Sequence, residues 1–255
     1  MPSLSEVRTA GQPPEVLDRL NDEHWAGRLY MRRVSPYATL LFARWGWSPN
    51  AVTLAFIASG VAGGVLAAVP GIWAAIGVVL LFQLYLLFDC SDGELARYTR
   101  RFSATGVFLD RMGHYICEAV LLAGLGVRAQ GHFSLSGGYV TVGLAAAVCV
   151  TLIKAETDGV TVARASSGLA GGHDDAALAP RSQGLALARR LAAALKVHRA
   201  VQAVELSALI LGCAIIDSAA GTLTATRVLA VAALVIGALI AAAHLVAIVA
   251  SSRLR

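Results

Sequence analysis

Charged residues are scarce in this chain. Of its 255 residues, 15% are Asp, Glu, Lys or Arg, whereas 57% are hydrophobic and the mean hydropathy is +0.67. A soluble domain carries about 25% charged residues, and the charges here are bunched so that long stretches contain almost none. The composition therefore excludes an ordinary soluble domain and predicts an integral membrane protein.

Three other features are missing. The first 34 residues have no apolar core near Met1, so we expect no cleavable secretory signal. The apolar stretches lack the alternation of barrel strands, which leaves helices as the structure that satisfies their backbone in lipid. The four cysteines lie inside these stretches without metal-ligand spacing, and we expect no disulfide.

What the chain does have is a set of six long apolar segments. A bilayer core needs about 20 helical residues, and the segments that reach this length are 51–69, 72–92, 106–127, 137–155, 199–217 and 227–250. We predict an all-α integral membrane protein with six transmembrane helices, divided into an N-terminal arm (1–50) and a membrane domain (51–255). Apolar residues at helical intervals in 14–34 predict an interfacial amphipathic helix, with a solvated arm as the alternative.

Lys and Arg residues indicate the orientation. Of the 21, only Arg128 and Arg227 fall outside the N-terminal arm, the second and fourth connections and the C-terminus. Because cytoplasmic connections carry the excess of basic residues, we predict that both termini are cytoplasmic. The net charge of +5 then indicates contact with anionic membrane lipids or an anionic substrate rather than with nucleic acid.

Acidic side chains concentrate where the second and third membrane helices meet the cytoplasm. Asp89 and Asp92 are three residues apart, and Asp110 and His114 are four apart, so each pair shares a helix face. The short connection predicts that these helices are antiparallel neighbours with converging polar faces. Converging carboxylates repel one another unless a divalent cation joins them, and oxygen ligands favour Mg²⁺ or Mn²⁺.

Small and basic residues flank this acidic cluster. Gly93 and Ala96 leave space for a flat or phosphorylated ligand, while Arg97, Arg100 and Arg101 can form bidentate hydrogen bonds with phosphate. A divalent cation, carboxylates, small residues and arginines together favour phosphoryl transfer. By contrast, we interpret Lys154, Glu156 and Asp158 mainly as residues that reach to the membrane surface, and His244 as having no ligand set.

The motif Asp89-x-x-Asp92-Gly93-x-x-Ala96-Arg97, eight residues, Gly106-x-x-x-Asp110-x-x-x-His114 resembles the signature of the CDP-alcohol phosphotransferase family, which ends in aspartate instead of histidine. Ser48-Pro49-Asn50 is similar to the Thr-Pro-Asn that precedes the family's first helix. The resemblance covers roughly residues 35–250, and its most specific part runs from Asp89 to His114.

The resemblance implies an enzyme of phospholipid biosynthesis in the inner membrane. A hydroxyl acceptor would attack a CDP-alcohol, usually CDP-diacylglycerol, and release CMP at a cytoplasmic active site. The implied site has two Mg²⁺ or Mn²⁺ ions on Asp89, Asp92 and Asp110, a nucleotide bordered by Gly93, Ala96, Arg97 and Asn50, and Gly106 holding the third helix close to the second. A homodimer is implied by the resemblance alone.

His114 stands where the family has its general base. A neutral imidazole of ordinary pKa, about 6.5, can accept a proton, so His114 and Asp110 are the expected catalytic residues, with Glu118 or water completing the coordination. Alternatives are a site with one cation and a catalytically impaired nucleotide-binding relative. A cation-coupled carrier is the rival from another class, although carriers place their charges near mid-membrane on broken helices.

Overall fold

The computed structural model describes residues 2–14, 26–168 and 202–250. These parts of the chain form helices joined by short connections and contain no strand. A π-helical turn, Gly27–Met31, leads into the second helix. The helices are α1 (Leu4–Gly11), α2 (Arg32–Arg44), α3 (Pro49–Ala67), α4 (Ile72–Thr99), α5 (Ala104–Gln130), α6 (Gly138–Ser166), α7 (Ala203–Ala220) and α8 (Thr224–Ala250).

Five of these helices, α3, α4, α6, α7 and α8, are long and apolar enough to cross a membrane. Helix α5 has 27 residues but is not among them, because charged and polar side chains recur along it. Large apolar side chains lie on the outside of the bundle: Val65, Leu80 and Leu239 are each 60–65% exposed. Such surfaces suit lipid rather than water. The prediction of an all-α membrane protein is confirmed, while the sixth span stays a prediction.

The starts and ends of the helices follow local chemistry. Ser48 accepts a hydrogen bond from the Ala51 N–H at 3.2 Å and Pro49 is the first residue of α3, two residues before the predicted start at 51. Helix α4 continues beyond the predicted end at 92, because the residues that follow are good helix formers and a helix needs no lipid. It ends where Arg100 takes a left-handed conformation, with φ 54°.

Helix α3 packs tightly against both α4 and α5. A methyl group at Gly60 would lie 2.8 Å from a ring carbon of Tyr85 on α4 and 2.8 Å from Cβ of Cys117 on α5. At Gly64 it would lie 2.8 Å from the backbone nitrogen of Leu121. Gly60 and Gly64 therefore allow α3 to pack closely against its neighbours.

The prediction that α4 and α5 are antiparallel neighbours with converging polar faces is confirmed in part: their side chains meet, with Nε2 of His114 3.1 Å from Oδ1 of Asp89, but their backbones do not pack against each other. Each packs along α3, and close backbone approaches between α4 and α5 are almost absent. Gly106 likewise holds α5 close to α3 rather than to α4, because a methyl group there would lie 2.8 Å from Oδ1 of Asn50. A gap therefore opens between α4 and α5. We call the end of the bundle where α4 ends and α5 begins the site end, and the opposite end, around residues 131–137, the far end.

The remaining helices close the bundle. Helix α7 packs on α4, α8 packs on α6, and α1 and α2 lie against α4 at the site end. The predicted amphipathic helix at 14–34 falls partly outside the described residues, which resume at 26 and are helical from there to Arg44. Its place at a membrane interface stays a prediction.

Candidate functional site

A cavity of about 490 Å³ opens at the site end between α3, α4 and α5. It contains every residue of the motif together with Asn50, which lies on α3. Asp89, Asp92, Gly93, Ala96 and Arg97 come from α4, and Gly106, Asp110 and His114 come from α5. Three helices separated in sequence thus supply one chemical surface.

The two polar helix faces reach the cavity at a similar depth. Asp92 precedes the end of α4 at Thr99 by seven residues, or about 10 Å of helix. Asp110 follows the start of α5 at Ala104 by six residues, or about 9 Å. The helices run in opposite directions, so their carboxylates meet about two turns inside the bundle.

Asp89, Asp110 and His114 form the centre of the site. One ligand atom from each lies within 4.8 Å of the other two. Nε2 of His114 is 3.1 Å from Oδ1 of Asp89 and 3.6 Å from Oδ1 of Asp110. Two carboxylates and an imidazole form a donor set that fits a divalent cation, and the nitrogen suits Mn²⁺ better than Mg²⁺.

Asp92 lines the cavity but lies outside this set of three. Its Oδ2 accepts a hydrogen bond from Oγ1 of Thr53 at 2.7 Å, and Asp92 as a whole is only 8% exposed. Thr53 also donates to the backbone oxygen of Pro49 at 3.1 Å. Helix α3 therefore fixes the orientation of an α4 carboxylate. Sequence reasoning missed Thr53, although its position one turn after Asn50 places both on one helix face.

Tyr85 fixes the imidazole of His114 from below. Its hydroxyl lies 2.5 Å from Nδ1, and the tyrosine is completely buried. The ring of Phe56 packs 5.4 Å from the imidazole, centroid to centroid. These contacts direct Nε2 toward Asp89 and the cavity. Tyr85 was not predicted, but it precedes Asp89 by four residues and so shares its helix face.

Glu118 does not complete the cation site. It is buried at 4% exposure and pairs with Nζ of Lys154 on α6 at 3.1 Å. Asp158, one turn further along α6, accepts a hydrogen bond from the hydroxyl of Tyr115 at 2.7 Å and pairs with Arg111. These contacts join α5 to α6 beside the cavity.

The interpretation of the α6 charges as surface-reaching residues does not hold for the described pairs. Lys154 and Asp158 bind α5, as above, and Glu156 pairs with Nδ1 of His244 on α8 at 2.9 Å. One face of α6 therefore pairs with α5 and another face pairs with α8. Polar residues that pair across helices in lipid lower the cost of burying each other.

Basic side chains surround the mouth of the cavity. Arg97 and Arg101 line it as predicted, and Arg32 of α2 joins them, whereas Arg100 ends α4 instead. Gly93 lies under the guanidinium of Arg97, because a methyl group there would be 3.2 Å from its terminal nitrogen. An acidic floor below a basic mouth suits a ligand that combines phosphate groups with a divalent cation.

The loop between α4 and α5 closes one side of the cavity. Ser103 caps α5 by accepting a hydrogen bond from the Gly106 N–H at 2.9 Å, and its hydroxyl lies 3.4 Å from Oδ1 of Asn50.

No family model matches the chain, and no curated protein matches it. The chemistry of the cavity therefore has to be argued from the residues it contains.

Proposed function

We propose that the chain is a CDP-alcohol phosphotransferase: it transfers a phosphoalcohol, usually phosphatidyl, group from a CDP-alcohol to a hydroxyl acceptor and releases CMP. One observation carries the proposal. A single cavity holds the carboxylates, the small residues and the arginine that the family resemblance assigns to cation, nucleotide and phosphate. If these residues did not line one cavity, the motif would describe two separate helix faces and not a binding site.

The floor of the cavity provides the cation site. Asp89, Asp92 and Asp110 would hold the divalent ions, and the two carboxylates of Asp89 and Asp110 at the centre of the site support this role. Nε2 of His114 is not a ligand in this assignment and keeps its lone pair for accepting a proton. Bound Mg²⁺ or Mn²⁺ supplies charge neutralisation for the pyrophosphate of the donor. Arg97 and Arg101 bind the phosphates from the mouth, and Gly93 and Ala96 admit the nucleotide beside α4.

His114 acts as the general base. When Nδ1–H donates to the oxygen of Tyr85, the lone pair of Nε2 faces the cavity and accepts the proton of the acceptor hydroxyl. The hydroxyl oxygen then bonds to the phosphorus distal to the cytidine, and the bond from that phosphorus to CMP breaks with its electron pair leaving on CMP. Asp89 and Asp110 stabilise the resulting imidazolium from 3.1 and 3.6 Å.

The membrane arrangement completes the proposal. We assign α5 as a sixth span, because α3 and α6 pack along it and its polar Tyr115 and Glu118 pair with side chains of α6. The site end is cytoplasmic, as the distribution of Lys and Arg predicts. Leu29, Tyr37 and Trp45 are 57–61% exposed around α2 and would enter the interface, as amphipathic helices do. Two cations, CDP-diacylglycerol as donor, a homodimer and the inner membrane rest on the resemblance.

A cation-coupled carrier fits the site less well. Helices α4 and α5 are continuous through Asp89 and Asp110, whereas carriers commonly bind ions at unwound helices near mid-membrane. The cavity also opens at one end of the bundle. Both observations favour an enzyme that meets its substrates at one membrane surface.

The test is CMP release by the full chain in lipid nanodiscs. CDP-diacylglycerol and soluble CDP-alcohols are offered with Mg²⁺ or Mn²⁺ and a panel of alcohols. We expect acceptor-dependent CMP release that EDTA and Asp110→Ala abolish. Asp217→Asn, a change to an aspartate that is buried at the far end, is the control and should leave release per folded molecule unchanged.

Three results would contradict the proposal. Cation-dependent CDP binding without CMP release from any donor would indicate a nucleotide-binding relative without turnover. Cation flux across liposomes that depends on Asp110 would favour the carrier. Failure to bind CDP at all would remove the nucleotide from the assignment.

A further inference from the structure

Glu94 is a fully buried carboxylate beside the cavity that the proposed mechanism does not use. Its Oε1 accepts hydrogen bonds from Oγ of Ser35 at 2.5 Å and from Nε2 of Gln12 at 2.8 Å. Its Oε2 accepts one from Oγ1 of Thr39 at 2.7 Å, and Arg32 lies 3.8 Å away. A buried carboxylate is costly unless its oxygens are bonded, so Glu94 binds α2 and the end of α1 to α4.

The end of α1 is built for close contact with α4. The amide of Gln12 donates to Glu94 and also to the backbone oxygen of Arg32, at 2.8 Å each, and so joins three elements. Gly11 is buried, and a methyl group there would lie 3.1 Å from Cβ of Glu94. A larger residue would push α1 away from α4 by a few tenths of an ångström.

The same contact reaches the cavity through Arg97. Nε of Arg97 donates to the backbone oxygen of Gly11 at 2.7 Å, and Arg97 lies one helical turn after Glu94 on the same face of α4. The guanidinium is planar and rigid, so a bond at Nε sets the plane of the whole group. Helix α1 thereby determines how a cavity-lining arginine is oriented.

Several contacts stabilise helix α1 and hold it in place. Ser3 and Glu6 form a capping box at its start, and Val7 is completely buried. Arg8 lies 5.9 Å from the centre of the Tyr37 ring on α2. The segment is short, but its cap, its core residue and its Glu94 anchor all keep it against α2 and α4.

We propose that Gly11 and Gln12 are positioning residues of the substrate site, which hold α1 on Glu94 so that the Gly11 carbonyl orients Arg97 toward a phosphate group in the cavity. The identity of that phosphate, the pyrophosphate of a CDP-alcohol, rests on the proposed function. The positioning itself requires only an anionic ligand. The cation site, by contrast, is supplied by α4 and α5.

The experiment measures anion and cation affinity separately in the full chain in nanodiscs. Gln12→Ala, Gly11→Ala, Arg97→Ala and the double variant Gln12→Ala/Arg97→Ala are compared, with Thr9→Ala on the exposed face of α1 as the control. Calorimetry gives Kd for CDP and for inorganic pyrophosphate at fixed free Mn²⁺, and electron paramagnetic resonance gives Kd for Mn²⁺ alone.

We expect Gln12→Ala and Gly11→Ala to raise Kd for both anions about tenfold, the effect of a misdirected hydrogen bond to a charged group. Mn²⁺ affinity should stay within about twofold, which also shows that the variants fold. In the Arg97→Ala background Gln12→Ala should add nothing further, because its effect passes through Arg97. In assays of CMP release, KM for the donor should rise while kcat is retained.

Unchanged anion affinity in the Gln12→Ala and Gly11→Ala variants would overturn the inference. So would an equal loss from Gln12→Ala with and without Arg97, since α1 would then act on the fold in general. A chain that binds pyrophosphate but not CDP contradicts the proposed function while its Gln12–Arg97 coupling still decides the inference. A chain that binds neither anion overturns both.

Discussion

Both ends of the helix bundle contain buried charges, but the charges have different partners. At the far end, Arg128 is 3% exposed and donates to the backbone oxygens of Val69 at 2.6 Å and Gly71 at 2.8 Å, just after α3. At the site end, Asp89 and Asp110 are partly exposed, lie 3.1 and 3.6 Å from Nε2 of His114 and line the cavity. The far-end charge is bonded to backbone oxygens. The site-end carboxylates of Asp89 and Asp110 instead line a cavity that a ligand could occupy.

Other far-end charges follow the same pattern. Asp217 accepts hydrogen bonds from the N–H groups of Ala225 at 2.8 Å and Thr226 at 2.9 Å, and so caps α8. Arg227 donates to the backbone oxygen of Ala129 at 3.1 Å. These residues secure helix ends that would otherwise leave polar groups exposed to lipid. Burial of a charge does not by itself mark a functional site; the kind of partner does.

The sharpest test of this difference is Asp89→Asn. We expect CMP release to fall on the order of a thousandfold, because the variant removes a charge that the donor pyrophosphate and its cation require. The melting temperature measured without cation should not fall, since one of two repelling carboxylates is neutralised. Asp217→Asn should show the reverse pattern, with a lower melting temperature and intact release. If both variants lose stability equally, the comparison between the two ends fails.

Arg128→Met probes the far end directly. The variant keeps a long apolar side chain but leaves two backbone oxygens without their charged donor, so we expect the free energy of unfolding to fall by about 3 kcal/mol. CMP release per folded molecule should stay within about twofold. Chemical denaturation in mixed micelles measures the first quantity, and Arg128→Lys should give an intermediate loss. A large loss of release without loss of stability would place Arg128 in the functional machinery.

His114→Asp restores the residue of the family signature and should shift cation preference. We expect Mg²⁺ affinity to rise about tenfold, because the variant adds a hard, negatively charged oxygen beside the cation site. Turnover should stay within about tenfold, since a carboxylate can also accept the proton. His114→Gln, which has no basic nitrogen, should lose turnover without gaining Mg²⁺ affinity. Equal turnover in the His114→Gln variant would remove His114 from the role of base.

Glu6→Gln should give the smallest effect and concerns α1. Hydrogen bonds with the backbone N–H and then the hydroxyl of Ser3 lower the pKa of the Glu6 carboxyl below its ordinary value of 4.5. A lowered pKa means that the stabilisation is complete above the ordinary value and is lost as pH falls through the folded-state value. The melting temperatures of the wild type and Glu6→Gln should therefore differ slightly at pH 7 and converge as the pH falls below 4.5. A difference that stays constant on acidification would show that charge is not involved, and Thr9→Ala serves as control.

The sequence predicted the apolar, membrane-spanning parts of the helices better than it predicted their polar ends and their packing. Apolar length located the spans, but it ended α4 at 92 and α6 at 155, whereas the helices run to Thr99 and Ser166. Helical hydrogen bonds continue into water, so hydropathy cannot locate such ends. The short connection between α4 and α5 predicted their converging polar faces but not the separation of their backbones, because the small residues of α3, Gly60 and Gly64, decide which helices approach closely.

The candidate site was predictable where the spacing of the motif is fixed. Every motif residue lies in the cavity, because residues three and four apart must share a helix face. Thr53 orients Asp92 and Tyr85 orients His114, but each of these contacts joins two different helices. The spacing of residues along one helix does not predict such contacts. Gln12 had no sequence signal at all, since its bond to Glu94 joins residues 82 positions apart. Contacts of this kind depend on tertiary packing, which a single sequence does not display.

The glycines of α5 limit how the cavity can be redesigned. A methyl group at Gly113 would collide with Phe56 and lie 2.7 Å from Ile57, and one at Gly124 would lie 3.1 Å from Ala67, so α3 and α5 are in contact over three turns. That wall of the cavity has no slack with which to accommodate a bulkier molecule. Added side-chain volume at the contact between α3 and α5 would therefore displace a helix instead of reshaping the cavity.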